Sequence, residues 1–414
     1  MKLHILYNRY KGAALAVLLA LPVSGAMAQT KLGLDECLEA AIRQSRILES
    51  GRLSVAETEA GQGSAWTMDK MEITLSQDPT SGGSPDNAVS VEQRFEFPTV
   101  YAARHRQAKA ETELENRRYA ALEQSFRARV SSLYCSLSMM RQSLQVYSHQ
   151  DSVYSLFETL AEARFGQGET SRLEVYNARQ ARQRNRMAMA EVDQQYCGLQ
   201  AELRDAMGVD YLVEPEVLPF ECFQSDSVTY DFAASPSGQV LQQQVDVSRH
   251  QLKSARSEFA PDIMLAARTQ AVVKGFNPYD EDRAKYADGN FMGFEVGVAV
   301  PVFFGGQRSK AKAARLAFER SELDLEQSRA EAESAYRKAL AECARTRQVV
   351  EYYESTGHAE QEEMARLAQV SYENGEIGYI EYIQNQEAAL GLHLNHLKAI
   401  NDWQQAVITL NSLR

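Results

Sequence analysis

Proline is scarce in this sequence, and its absence from two long segments is informative about the fold. The 414 residues include only ten prolines, and none lies in residues 99–214 or 302–414. Both segments are rich in Ala, Glu, Gln, Arg and Leu, which are favourable residues in helices. The sequence therefore predicts two long helical regions instead of a succession of short elements.

Long hydrophobic runs and paired cysteines are also lacking. Beyond the N-terminus no run of 18 apolar residues occurs, so the sequence predicts no transmembrane helix. The cysteines lack CxxC spacing and their odd number allows at most two disulfides, so we expect them mainly as small packing residues. They are Cys37, Cys135, Cys197, Cys222 and Cys343.

Positive charge is in deficit, and the motifs of common enzymes are absent. The chain has 44 Lys and Arg against 56 Asp and Glu, a balance that disfavours nucleic acid and suits cationic partners. Without a GxSxG, HExxH, P-loop or Rossmann motif, the sequence predicts neither an enzyme nor a cofactor. His393 and His396 have no third ligand nearby, so we expect a solvated helix face there and no metal site.

The first 28 residues have the features of a secretory signal peptide. Three cations precede an apolar stretch at 12–23, and Ala26, Met27 and Ala28 form a cleavage site of the small-x-small kind. We therefore expect an exported mature chain that begins near Gln29. Removing the signal cations leaves 41 Lys and Arg against 56 Asp and Glu, a net charge of −15.

The remaining sequence contains a weak internal duplication. A Pro-containing junction followed by a basic, Ala-rich segment occurs at 97–110 and again at 300–313, and a Gly-containing segment at 165–174 matches 372–381. The offsets of 203 and 207 residues keep most of the intervening sequence in register. We interpret the duplication as one supersecondary unit used twice, with repeat one at about 32–208, a linker at 209–236 and repeat two at about 237–414.

Each repeat contains two segments with strand periodicity. Apolar and polar residues alternate in 89–97 and 292–300, which is typical of strands with one apolar face. Their predicted partners are 71–76 and 263–273, joined by Gly-, Pro-, Asp- and Asn-rich connections at 79–87 and 275–290. One chain therefore supplies four strands, whose sheet would have open edges.

Each repeat then continues into a long helical hairpin. Leu133, Leu137, Met140, Leu144 and Tyr147 follow the spacing of a coiled-coil seam, in which Asp151 is the polar member. Helices over 101–165 and 303–372 would be about 95 Å long or slightly more. Glycines near 166–168 and 375–378 end these helices, and a return helix follows in both repeats.

These elements are incomplete in one chain and become complete in an assembly. Two hairpins about 100 Å long need lateral neighbours to bury their apolar stripes. Several copies of four strands can close into a barrel without free edges, whose apolar face meets lipid. The sequence thus predicts a mainly α-helical protein with a membrane β-barrel, located in the outer membrane and extending into the periplasm.

The ordered set of these features is similar to that of TolC-family outer-membrane factors. The resemblance rests on the signal peptide, the Leu34–Ala41 opening, the strand–helix junctions at Pro98 and Pro301, and the paired glycine turns. It covers nearly the whole mature chain and implies a homotrimer with a twelve-stranded barrel continued by an α-helical tunnel. The implied function is the exit duct of a tripartite efflux pump. The implied partners are a periplasmic adaptor (membrane fusion protein) and an inner-membrane transporter.

The resemblance also implies that the turns around Gly168 and Gly375 are periplasmic tips, where the adaptor docks and the tunnel closes. Acidic residues near the tips could form rings that attract cations, or could simply begin helices favourably after a turn. Tyr379 is a further candidate for tip closure. The acidic candidates are Glu169, Glu174, Glu376 and Glu381.

Two other functions are compatible with the sequence. A type I secretion duct shares the architecture, and the cargo stays open between metal ions, small molecules and proteins. A periplasmic coiled-coil adaptor that forms no pore would also need long hairpins. The two pairs of amphipathic strands favour the channel.

Overall fold

The computed structural model describes residues 29–78, 86–219, 223, 230–271, 291–301 and 303–414. The predicted signal peptide, Cys222 and most of the two predicted strand connections lie outside these residues. The described chain is mainly helical, and the prediction of a mainly α protein with four strands in one sheet is confirmed.

The helices carry most of the structure. The first hairpin consists of α3 (Pro98–Gln167) and α4 (Arg172–Met207), and the second of α6 (Gly305–Tyr352), α7 (His358–Glu373) and α8 (Tyr379–Ser412). Shorter helices are α1 (Leu34–Gln44), α2 (Arg46–Gly61) and α5 (Pro236–Ser257). At 70 residues, α3 is about 105 Å long. Among the described residues, no helix is both long and apolar enough to cross a membrane.

The second long helix is interrupted, which differs from the continuous helix expected over 303–372. A π-helical turn, Tyr353–Gly357, separates α6 from α7. A Cβ atom on Gly357 would lie 2.8 Å from the Tyr353 ring, so the turn depends on a residue without a side chain. Next to it, His396 is buried within 3.0 Å of Glu354, instead of lying on the expected solvated face. Such π turns mark local irregularity in otherwise regular helices.

Four antiparallel strands form a sheet in the order β2-β3-β5-β6. They are β2 (Glu72–Asp78), β3 (Asp86–Phe95), β5 (Asp262–Ala271) and β6 (Phe291–Ala299). The register aligns Ile73, Val91, Ala267 and Phe294 in one row of one face. The next row, on the opposite face, contains Glu72, Glu92, Ala266 and Glu295. One face is therefore apolar and exposed, and the other is polar, as the alternation predicted.

A second sheet was not predicted from the sequence. The four-residue strands β1 (Gln29–Leu32) and β4 (Leu212–Pro215) pair in parallel, although β4 falls in the predicted linker. The Tyr134 hydroxyl connects the C-terminal ends of the two strands. It donates to the Leu32 carbonyl at 2.8 Å and accepts from the Glu216 amide, directly after β4, at 2.8 Å. Strands of four residues are too short to show a period, which explains the omission.

Three of the four described cysteines pack as small buried residues, as expected, and the fourth is exposed. Cys37, Cys135 and Cys343 are buried and Cys197 is exposed, and none of these four is in a disulfide. Burial raises the pKa of the Cys37 thiol to about 12, and the nearby Glu36 adds to the shift. Cys37 therefore stays protonated and acts as a small apolar residue in the core around Tyr134.

Candidate functional site

The tip of the first hairpin is built around Gly168. This residue adopts φ 76°, a left-handed conformation that favours glycine, directly after α3. Its amide donates to the Phe165 carbonyl at 3.0 Å, and the Glu169 amide donates to the Arg164 carbonyl at 2.9 Å. This pair of bonds is the Schellman motif, which ends a helix sharply and reverses the chain into α4.

The tip of the second hairpin repeats this geometry. Gly375 adopts φ 75°, its amide donates to the Tyr372 carbonyl at 3.1 Å, and the Glu376 amide donates to the Ser371 carbonyl at 2.8 Å. The two tip glycines thus have the same conformation and the same pair of capping bonds. The correspondence that the sequence repeat suggested extends to the backbone of both turns.

Both hairpins contribute to one apolar cluster near the tips. Tyr372 of α7 stacks on Tyr382 of α8 with 4.8 Å between ring centroids, and Phe157 of α3 meets Tyr372 edge-on at 5.4 Å. The Arg164 guanidinium lies over the Tyr372 ring, 4.8 Å from its centroid. Such contacts add to the stabilisation from burial. The tip cluster therefore joins α3, α4, α7 and α8; its buried members are Tyr154, Phe157, Ala161, Val175, Ala178, Ala181, Ala368, Tyr372, Tyr382 and Ile383.

Glu174 lies inside this cluster, whereas the other acidic candidates do not. Its side chain is 6% exposed, and its carboxylate accepts from the Tyr372 hydroxyl at 2.5 Å and from the Thr170 hydroxyl. Burial, followed by the hydrogen bond to the Glu174 carboxylate, raises the pKa of Tyr372 well above its ordinary value. The Tyr372–Glu174 hydrogen bond thus connects the end of α7 to the start of α4, across the two repeats.

Two further polar contacts join the hairpins along the same line. The Asn177 side-chain amide donates to the Tyr379 hydroxyl at 3.0 Å, and Arg184 pairs with Glu387 at 3.0 Å. Together with the Tyr372–Glu174 bond, these contacts form what we call the tip seam, between α4 on one side and α7 and α8 on the other. Tyr379, singled out from the sequence, belongs to the tip seam.

The remaining candidates are exposed around the turns. Glu169, Glu376 and Glu381 all point to solvent in the single chain, and Glu376 accepts from the Ser371 hydroxyl at 2.9 Å. Sequence reasoning missed Tyr372, three residues before Gly375, and Asn177, nine residues after Gly168. Proximity to the turns was the available signal. The sequence did not show that Tyr372 would contact Glu174, 198 residues away, or that Asn177 would contact Tyr379, 202 residues away.

The first hairpin is braced by a network of ion pairs between its two helices. Asp151 of α3 accepts from Arg186 at 2.9 Å and lies 3.4 Å from Arg182. The hydrogen bond from Arg186 is the main cause of the lowered pKa of Asp151, with a further contribution from Arg182. Arg182 also contacts Glu158 at 3.0 Å. The polar member of the predicted seam is therefore the centre of this brace.

No group of three or more His, Cys, Asp or Glu side chains in the described parts of the chain is arranged to hold a metal ion.

The sequence matches a family model described as Outer membrane efflux protein over residues 55–209 and 233–413. Because the match spans most of the chain, the protein belongs to the outer membrane efflux protein family. No curated protein matches the chain significantly in sequence.

Solved structures share this fold at low sequence identity. CusC is 15% identical with a TM-score of 0.77, covering 94% of this chain and 92% of that one. The Campylobacter jejuni CmeC outer membrane channel is 11% identical with a TM-score of 0.75, covering 92% and 85%. The open state of the Neisseria gonorrhoeae MtrE outer membrane channel is 13% identical with a TM-score of 0.75, covering 92% and 88%.

The predicted family resemblance, fold, location and function are thereby confirmed. The protein is an outer membrane efflux protein, and its fold is that of solved outer membrane channels. The alternative of a coiled-coil adaptor without a pore is not supported.

Proposed function

We propose that three copies of the chain form a passive exit duct for small molecules or metal ions in a tripartite efflux pump. In this assembly the three sheets close into a twelve-stranded barrel, and the hairpins continue it as a periplasmic tunnel. An inner-membrane transporter supplies the energy, and a periplasmic adaptor docks at the hairpin tips. The observation that carries the proposal is that one chain leaves both its sheet and its helices incomplete.

Both the sheet and the helices have surfaces that a single chain leaves uncovered. In the four-stranded sheet, β2 and β6 each have one unpaired edge, which soluble sheets normally protect. On the helices, Leu53 of α2 and Leu316 and Leu323 of α6 are exposed. Lateral neighbours would cover these side chains and pair the strand edges in a single step.

Native mass spectrometry of the detergent-solubilised full chain tests the assembly. We expect a complex of three chains, because three four-stranded sheets give the twelve strands that the resemblance implies. A folded single chain, or a complex of another number, would contradict the proposal. Outer-membrane fractionation of the same cells before detergent is added checks that the trimer comes from the outer membrane.

Within this duct we assign the tips to the periplasmic entrance. The first hairpin is stiffened by the Asp151 network, whereas the second is divided by the π-helical turn at Tyr353–Gly357. The tip seam holds the second hairpin against the first. Breaking the seam would therefore release α7 and the adjoining part of α8, with the π turn as the point of bending.

Alkaline pH is expected to open this entrance. The raised pKa of Tyr372 means that its neutral form stabilises the closed tip fully below about pH 10, the ordinary tyrosine pKa. This stabilisation is lost as the pH rises above 10 towards the higher folded value, at up to about 1.4 kcal/mol per pH unit. The open fraction in single-channel recordings should stay constant from pH 7 to 9 and rise above pH 10. The Tyr372→Phe variant should lose the rise that this hydroxyl causes, and an identical rise in that variant would exclude Tyr372 as its source.

The exposed carboxylates at the turns are proposed to favour cations at the entrance. By threefold symmetry Glu169 and Glu376 would each form a ring of three negative charges. Replacing both with Gln should lower the preference for cations over anions, measured as a shift of reversal potential in planar bilayers. Replacing Glu57 and Glu59 with Gln is the matched control, since these exposed carboxylates lie on α2, far from the tips. Unchanged selectivity in the tip variant would leave Glu169 and Glu376 as ordinary helix-starting residues.

A further inference from the structure

All four strands of the larger sheet meet the helices at one end, which we call the helix–sheet junction. Strand β3 leads into α3, β6 leads into α6, and α5 leads into β5, each through five residues or fewer. The register aligns Phe95, Ile263 and Val298, so these strand ends are level. In an outer-membrane protein the end of an apolar sheet face marks the edge of the hydrocarbon layer.

Aromatic side chains gather at this junction. Trp66 stacks on Tyr101 with 6.2 Å between centroids, and Phe259 stacks on Phe304 at 6.0 Å. Trp66 is 53% exposed and Phe303 is 90% exposed in the single chain. Aromatic residues are typical of the boundary between hydrocarbon and water. The junction therefore lies at the level of the lipid headgroups.

The helical segments next to the junction are basic, although the chain as a whole is acidic. Residues 98–110, 247–257 and 305–318, from α3, α5 and α6, contain ten Arg and Lys and no Asp or Glu. Four of the ten pair with carboxylates that flank these segments. The other six are exposed, and none of them forms an ion pair with a residue that the structure describes. These six, the basic belt, are Arg106, Lys109, Lys253, Arg256, Arg308 and Lys312.

The basic belt lies close enough to the junction to meet headgroups. At about 1.5 Å per residue, Arg256 and Arg308 lie within about 5 Å of the ends of their helices, and Lys109 within about 17 Å. The headgroup layer adds roughly 5–8 Å to each side of the hydrocarbon, and charges act over a further ~8 Å at physiological salt. Together these lengths give a range of about 13–16 Å, which includes Arg256 and Arg308 and has its outer limit near Lys109. Acidic Glu57 and Glu59 lie further from the sheet, because Gln62 of the turn after α2 already reaches Thr112 at 2.7 Å.

We propose that the basic belt binds the phosphate groups of anionic phospholipids in the leaflet nearest the helices. Six exposed cations that pair with no carboxylate in the described part of the chain, next to an aromatic boundary, are complementary to a layer of phosphodiesters. Each Lys or Arg near an anionic surface strengthens attachment by about fivefold. The lipids would thereby fix the depth of the channel, which goes beyond the assignment of an entrance at the opposite end of the hairpins.

Lipid titration of the purified full-length channel tests the proposal. Delipidated protein is titrated with phosphatidylglycerol or phosphatidylcholine, and bound lipid is counted by native mass spectrometry. We expect at least a tenfold preference for phosphatidylglycerol, which weakens with salt. The variant Arg256→Gln, Arg308→Gln, Lys312→Gln should lose tenfold or more of its phosphatidylglycerol affinity. The charge-conserving variant Arg256→Lys, Arg308→Lys, Lys312→Arg should keep the phosphatidylglycerol affinity.

The matched control neutralises three exposed cations far from the junction, Arg337, Lys338 and Lys398, and should bind phosphatidylglycerol like the native chain. Helical content and the number of chains verify that each variant is folded. Equal binding of both lipids, or an unchanged preference in the junction variant, would overturn the proposal. Displacement of phosphatidylglycerol by equimolar inorganic phosphate would overturn it in favour of a free-anion site. A changed ion selectivity with unchanged lipid binding would instead place the cations in the channel.

Discussion

Replacing Tyr372 with Phe is expected to increase the open fraction of the channel by about 5- to 150-fold. The substitution keeps the ring stacked on Tyr382 but removes the hydroxyl that donates to the buried Glu174. A buried carboxylate that loses a hydrogen-bond donor costs about 1–3 kcal/mol, which corresponds to that range. Because the contact joins the two hairpins, the cost falls on the closed arrangement of the tip. Single-channel recording in planar bilayers measures the open fraction directly.

Tyr176→Phe is the matched control for this prediction. Tyr176 lies two residues from Glu174 but is exposed, and its ring contacts Arg172 of its own helix. The same loss of a hydroxyl should therefore leave the open fraction unchanged. A second variant, Glu174→Gln, should open the channel as Tyr372→Phe does, since it removes the acceptor's charge. If both tip variants conduct like the native channel, the tip seam does not hold the entrance closed.

The strands and the hairpin turns could be predicted because their signals are local. Val296 and Val298 alternate with Glu295 and Gly297, so period two is readable within nine residues. Gly168 and Gly375 stand where the chain must adopt positive φ, and glycine supplies this at little cost. Both kinds of feature depend on neighbouring residues, and both lie where the sequence indicated.

The contacts that hold the tip could not be predicted, because they join residues distant in sequence. Tyr372 and Glu174 are 198 residues apart, and nothing in either segment specifies the partner. Glu174 and Glu381 occupy equivalent positions of the two repeats, yet only Glu174 is buried. The π turn before α7 depends on the fit of Gly357 against Tyr353, which helix propensity does not show. Tertiary packing, and not local preference, makes the two repeats different.

Replacing Val296 with Arg is expected to abolish assembly in the outer membrane. Val296 is 73% exposed in the middle of β6, on the apolar face that it shares with Phe294, which is 79% exposed. In an outer-membrane sheet this face meets lipid, where an Arg near the midplane costs about 2–4 kcal/mol per chain. If three chains assemble, the cost is incurred three times and becomes comparable with the whole stability of a typical domain. Outer-membrane fractionation and the yield of assembled channel measure the effect.

Glu295→Arg provides the control, because the adjacent residue points to the opposite face of the same strand. That face carries Glu72 and Glu92 in the same row, so a cation there is compensated by neighbouring carboxylates and does not enter lipid. The Glu295 variant should assemble normally and change only the ion selectivity of the channel. Normal assembly of the Val296 variant would show that this face is covered by protein. Failure of both variants would show that β6 tolerates no arginine on either face. The two faces would then not differ in the way that the sequence alternation implies.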